Sequence, residues 1–177
     1  MKHAFYFEAL LIDYAMLEDR IAAFLWAAGV LNDADKFGLG NKRNKVQLRQ
    51  LYTAYKGEDK TPILRNISAK IDMILALIKF AQQDYSEDDR YLSALHRGLQ
   101  TLDLETLKET VNALDSWRKY RNDVIHGAMS KNIYSLYEKL EENTANGLAY
   151  ARVIDKESQK LKRRAYIRKS VHMPPKK

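Results

Sequence analysis

Apolar residues recur at the spacing of an α-helix along most of this chain. In the first segment they step by three and four residues and form one stripe, made of Phe7, Leu10, Tyr14, Leu17, Ile21, Phe24 and Ala28. Asp13, Asp19 and Arg20 fall off this stripe, and we expect them to face solvent. No segment shows the strict alternation of a β-strand, so the pattern predicts an all-α protein. Further helices are predicted over about 45–55, 62–81, 89–97 and 104–117.

Capping residues place the ends of these helices. Thr61 and Pro62 are typical of an N-cap followed by the first helical residue, and Asp103 is typical of another N-cap. A last helix is predicted around Leu140, weakened over 143–147 and resuming into the C-terminal segment. We therefore expect a single helical bundle of five or six helices with a basic C-terminal helical extension.

The composition excludes several classes of protein. The chain has 177 residues, enough for one domain, and its seven glycines and three prolines are few for a β-sandwich or barrel. The lack of cysteine excludes disulfides, thiolate nucleophiles and sulfur-ligated zinc sites. No window approaches the ~18 uncharged apolar residues of a membrane span. We expect a soluble, cytoplasmic protein with no membrane partner, metal or cofactor.

The net charge of +7 is concentrated near the C-terminus. Residues 1–147 carry 20 basic and 21 acidic residues, whereas residues 148–177 carry 10 basic and 2 acidic residues. Such a segment suits a polyanion, because each neutralised phosphate releases counterions; it also suits a solvated tail that only aids solubility. It lacks the continuous apolar face of a membrane-surface helix. The predicted organisation is a bundle over 1–148 and a basic C-terminal helix and tail over 149–177.

One segment of the chain combines residues that can do chemistry. Arg121 continues the apolar stripe of the preceding helix, and an arginine on an inward face needs a partner. His126 follows five residues later, about 140° away around an unbroken helix. Asn122 and Asp123 are good capping residues and Gly127 can end a helix, so a break between the two is expected. A second copy of the chain is the other way to complete such a site.

This segment resembles the signature of the HEPN superfamily, the higher eukaryote and prokaryote nucleotide-binding domains. Domains of this superfamily are small all-α bundles in which an arginine, four to six further residues and a histidine form the site. The residue after the arginine is usually polar, as Asn122 is here. The resemblance covers about ten residues, up to Gly127.

The resemblance implies a metal-independent endoribonuclease that acts on RNA at a homodimer cleft. In this role His126 is the acid/base, because an imidazole titrates near neutral pH. Arg121 binds the phosphate through its planar, permanently charged guanidinium, and Asn122 orients the site or binds a phosphate oxygen. The residues expected to contact RNA by stacking or charge are Tyr120, Lys160, Lys162, Arg163, Arg164, Arg168 and Lys169.

The residue two positions after the histidine bears on the branch of the superfamily. Toxins paired with a nucleotidyltransferase antitoxin have a tyrosine there, whereas this chain has Ala128. The resemblance therefore favours a lone ribonuclease of the abortive-infection or antiviral kind, and leaves open a different antitoxin or a regulatory partner.

Two other interpretations remain open. Arg121 and His126 are also suited to cap a helix and fix a loop, in which case the protein is a non-catalytic module that binds RNA, a nucleotide or a protein. The acidic residues Glu138, Glu141 and Glu142 suggest a magnesium-dependent nucleotide pyrophosphatase. That chemistry requires two acidic pairs on facing helices, and only one pair is visible in the sequence.

Overall fold

The computed structural model describes residues 2–32, 36–38, 42–59, 61–85, 89–128 and 139–171. Within these residues the chain forms seven helices and no β-strand, which confirms the all-α class. The predicted number of five or six helices is too low. The helices are α1 (Lys2–Ala27), α2 (Lys42–Lys56), α3 (Ile67–Ala81), α4 (Arg90–Leu99), α5 (Leu104–Ala128), α6 (Leu140–Lys162) and α7 (Tyr166–Ser170).

Side-chain caps define where three helices begin. The backbone N–H of Leu92 donates to Asp89 at the start of α4, and that of Thr106 donates to Asp103 at the start of α5, as the sequence predicts for Asp103. The predicted start of α3 at Thr61 and Pro62 is wrong. Asn66 caps α3 instead, because its side chain accepts a hydrogen bond of 2.9 Å from the N–H of Ala69.

The first and sixth helices pack in parallel and form the largest interface of the bundle. The Thr144 hydroxyl donates to the Tyr6 carbonyl near the start of both helices, at 3.3 Å. The Arg20 guanidinium lies 3.4 Å from the Asp155 carboxylate farther along. Apolar side chains fill the space between α1, α6 and the rest of the bundle. They include Leu10, Leu17, Ile21, Phe24, Ala151, Ile154 and Leu161, all buried.

The fifth and sixth helices run antiparallel. The Asp103 N–H donates to the Glu157 carboxylate at one end, and the Trp117 indole N–H donates to the Asn143 carbonyl at the other, at 2.6 Å. The predicted weakening over 143–147 does not interrupt α6. Gly147 lies where a Cβ atom would come within 2.8 Å of the Trp117 ring, so the missing side chain permits the close approach.

The basic C-terminal segment packs as part of the bundle over its described length. The predicted boundary after residue 148 falls inside α6, and residues on both sides of it are buried. Ile167 and Val171 are also buried, and the Asn44 side chain donates to the Val171 carbonyl at 3.1 Å. Residues 172–177 lie outside the described residues. No described helix has the length and apolar character needed to cross a membrane.

Candidate functional site

The helix that carries the arginine–histidine motif continues through it without a break. α5 extends to Ala128, so the predicted break at Asn122 and Asp123 is wrong. Val124 supplies a physical reason, because its side chain is buried in the core and holds the last turns of α5 against the bundle. On this continuous helix Arg121 and His126 point about 140° apart.

Arg121 is half-buried and lies against an aromatic ring. Its guanidinium carbon is 4.0 Å from the centroid of the Tyr14 ring on α1, a cation–π contact. Its Nη1 donates to the Asn122 side-chain oxygen at 3.2 Å. Its Nε is buried and has no hydrogen-bond partner among the described residues. The partner of this inward arginine is therefore an aromatic ring, and no carboxylate among the described residues pairs with its positive charge.

The other two motif residues differ in their exposure. Asn122 is half-buried and its carbonyl oxygen accepts the bond from Arg121, which fixes both side chains on one side of α5. His126 is exposed, near the end of the same helix. Tyr120 is half-buried and packs against the core, and burial is the main cause that raises the pKa of its hydroxyl.

A buried carboxyl group lies beside this site and was missed from the sequence. Asp13 is only 6% exposed, and its Oδ2 has no hydrogen-bond partner among the described residues. Burial raises the pKa of this carboxyl from 3.8 to about 6. It lies close to Gly147 and Trp117, where α1, α5 and α6 meet. The expectation that Asp13 faces solvent is wrong, whereas Asp19 is exposed as expected.

The basic residues predicted to contact RNA fall into two groups. Lys160 and Arg168 have structural partners. Lys160 pairs with Glu157 at 2.8 Å, and Arg168 donates to the carbonyls of Trp26 and Leu31 at 2.8 and 3.0 Å. The remaining four are exposed and form no ion pair with the described residues: Lys162, Arg163, Arg164 and Lys169. Of the six basic residues predicted to contact RNA, these four are therefore free to bind an anionic ligand.

The acidic residues of the pyrophosphatase hypothesis are not brought together by the described structure. Glu141 and Glu142 are exposed in the first turn of α6, and Glu138 lies outside the described residues. The described part of the chain contains no group of three or more histidine, aspartate or glutamate side chains placed to hold a metal ion.

Comparison with models of known protein families, with curated proteins and with solved structures finds no match to this chain.

Proposed function

We propose that this protein is a metal-independent endoribonuclease that cleaves RNA with Arg121 and His126, assisted by Asn122. The observation that carries the proposal is the environment of Arg121. Its guanidinium is held against Tyr14 and meets no carboxylate among the described residues. A held and unneutralised guanidinium is suited to stabilise the charge that develops on phosphoryl oxygens.

In the proposed reaction the RNA 2′-hydroxyl attacks the adjacent phosphorus. The O2′–P bond forms while the P–O5′ bond breaks, which yields a 2′,3′-cyclic phosphate and a 5′-hydroxyl. His126 takes the proton of the 2′-hydroxyl or gives a proton to the departing O5′. Arg121 binds the non-bridging oxygens through two parallel N–H groups. Neither proton transfer calls for a metal ion.

Two copies of the chain are part of the proposal. Arg121 and His126 point about 140° apart on α5, so one copy does not direct both side chains at one phosphate. A two-fold axis beside the end of α5 would bring Arg121 of one copy toward His126 of the other. The same axis gives the dimer two such sites, each with Arg121 of one copy and His126 of the other.

The first experiment is cleavage of a labelled structured RNA in excess EDTA. We expect the wild type to cut and His126→Ala to lose at least about a hundredfold in rate, the usual contribution of a general acid or base. Because His126 is exposed, its removal leaves the fold intact. Arg121→Lys keeps the charge but loses the bidentate fork, so its rate falls while Lys119→Ala, on the exposed face of α5, cuts normally. Cleavage that requires Mg²⁺, or that survives in His126→Ala, contradicts the proposal.

The cellular role that goes with this activity is that of a toxin or an antiviral, abortive-infection effector, which rests on the resemblance to HEPN proteins. Growth arrest on expression of the wild type and normal growth with His126→Ala is the expected result. Equal growth arrest by both proteins contradicts this role.

A non-catalytic RNA-binding module is the second candidate. The observation that favours it is a set of four exposed basic residues, from Lys162 to Lys169, that form no ion pair with the described part of the chain. Deletion after residue 148 does not test it, because the segment removed contributes buried core residues. Replacing Lys162, Arg163 and Arg164 by glutamine is the suitable test. If the wild type binds RNA without cutting it, and the triple variant lowers affinity and the salt dependence of binding, the module interpretation holds.

A further inference from the structure

A groove lies on the half of α1 that is distant from the arginine–histidine motif. It has a volume of about 550 Å³ and is lined by Asp19, Ala22, Ala23, Trp26 and Lys162. The α1 residues of this groove follow Tyr14 by five to twelve positions, which is roughly 8–18 Å along the helix axis. The groove is therefore separate from the Tyr14–Arg121 contact and belongs to a different part of the surface.

The lining combines the three kinds of group that a nucleotide requires. Trp26 presents an indole and the two alanines leave room beside it, which suits a flat aromatic ring. Lys162 supplies a positive charge for a phosphate, and it forms no ion pair with the described residues. Asp19 places a carboxylate, 72% exposed, at the same groove, where its Oδ2 lies 3.5 Å from Nη1 of Arg20. The volume lies within the usual range of small-molecule sites.

The indole of this groove is held in place before any ligand arrives. The Arg168 guanidinium carbon lies 3.8 Å from the centroid of the Trp26 ring and covers one face of it, so a base would pack on the part of the ring that lines the groove. The same guanidinium donates to the carbonyls of Trp26 and Leu31, which fixes it at the C-terminal end of α1. A rigid aromatic surface loses little conformational entropy when a base packs on it, so it favours binding.

We propose that this groove binds a nucleotide, with the base against Trp26, the phosphate on Lys162 and the base edge on Asp19. The carboxylate selects guanine. Guanine has two adjacent donors on its Watson–Crick edge, N1–H and N2–H, which match the two oxygens of a carboxylate. Adenine offers one donor group there, beside an acceptor that a carboxylate repels. The site goes beyond the proposed ribonuclease activity and does not depend on it.

Tryptophan fluorescence of the full-length protein tests this site, because the chain has two tryptophans in different settings. Trp117 is 3% exposed and bonded to a backbone carbonyl, whereas Trp26 is partly exposed and lines the groove. We expect GMP to quench the wild type in a saturable way and to leave Trp26→Phe, which keeps Trp117, unchanged. The proposal is wrong if GMP quenches both proteins equally. It is also wrong if neither millimolar GMP nor the RNA described below quenches the wild type.

Two further variants separate the roles of phosphate and base. Lys162→Ala should lower the affinity for GMP about tenfold and the affinity for guanosine less than twofold, because only GMP carries the phosphate. Lys156→Ala removes another exposed lysine of α6 outside the groove, and it should leave both affinities unchanged. Asp19→Asn should abolish the preference for GMP over AMP. An unchanged GMP affinity in Lys162→Ala rules out the assigned phosphate contact.

The source of the nucleotide is settled by a parallel titration with short single-stranded RNA. A six-residue RNA with one guanine is compared with the same RNA in which adenine replaces it. Tighter binding of the guanine RNA than of GMP identifies a subsite for an RNA chain, and tighter binding of GMP identifies a free nucleotide as ligand. His126→Ala should bind GMP like the wild type, so failure of the ribonuclease proposal and failure of this one are distinguishable.

Discussion

Replacement of Asp13 by asparagine is expected to change how the stability of the protein depends on pH. The Asp13 carboxyl is buried, and its Oδ2 has no partner among the described residues. Burial raises its pKa from 3.8 to about 6. The folded state therefore holds the proton more tightly than the unfolded chain does. As a consequence, the stability of the wild type falls as the pH rises from about 4 to about 6, and stays lower above that range.

The size of this effect follows from the pKa of Asp13. A folded-state pKa about two units above the unfolded value corresponds to about 3 kcal/mol once the group is ionised in both states. Asparagine has nearly the same shape and does not titrate. The free energy of unfolding of Asp13→Asn minus that of the wild type should therefore be about 2–3 kcal/mol larger at pH 7.5 than at pH 4.

Urea denaturation followed by circular dichroism measures this difference at both pH values. Glu8→Gln is the matched control, because it removes a carboxylate from the exposed side of the same helix. The free energy of unfolding of Glu8→Gln should stay within about 0.5 kcal/mol of the wild-type value at both pH values. If Asp13→Asn shows the same difference from the wild type at pH 4 and pH 7.5, Asp13 is not an uncompensated buried carboxyl and the reasoning fails.

Four other substitutions test the packing by the same denaturation assay. Gly147→Ala should destabilise by about 1–3 kcal/mol, because the new Cβ meets the hydrogen-bonded ring of Trp117 at 2.8 Å. Gly98→Ala should be within about 1 kcal/mol of neutral, because its Cβ would meet the terminal methyl group of Ile167 at 2.5 Å, a side-chain end that can shift, and alanine has the higher helix propensity. Arg168→Ala should destabilise by about 1–3 kcal/mol, because two backbone carbonyls at the end of α1 lose their donor, whereas the exposed Arg163→Ala should have little effect. Equal results for the two glycines, or for the two arginines, contradict these assignments.

The helical class could be predicted because apolar periodicity reports burial directly. Between Leu10 and Phe24 the stripe is buried except for Tyr14, which is partly buried, so the spacing predicted the inward side of α1. The same spacing also places Asp13 on the buried side of α1, because Asp13 follows Leu10 by three residues and precedes Leu17 by four. Glu157 has the equivalent place between Ile154 and Leu161 and is 1% exposed. A charged residue at such a position is buried together with its apolar neighbours. The sequence analysis placed Asp13 at the surface because charged residues are usually exposed.

The residues of the candidate site could be predicted from the sequence, but their arrangement in space could not. The inward position of Arg121 follows from the helical period, and the structure supplies Tyr14 as its neighbour. That neighbour is more than a hundred residues away in the chain, and local spacing contains no information about it. The predicted break after Arg121 is wrong because the buried Val124 favours continuation of α5 over the capping tendency of Asn122.

The part played by the basic segment could not be predicted from its charge. Charge density marks residues 149–177 as a tail, but it does not show that Ile154, Leu161 and Ile167 are buried on one side of the same segment. Of its basic groups, Lys162, Arg163, Arg164 and Lys169 are exposed, whereas Arg168 donates to two backbone carbonyls of the bundle. The segment therefore supplies core residues to the bundle and a cationic surface at the same time.

Activity of a mixed dimer tests the central claim most directly. Arg121→Ala and His126→Ala chains with different tags are co-expressed, and the heterodimer is purified on both tags. If Arg121 of one copy acts with His126 of the other, the heterodimer retains one intact site. It should then cut RNA in EDTA at about half the wild-type rate, while both homodimeric variants are inactive. A purified heterodimer as inactive as its parents, beside an active wild type, would contradict the account.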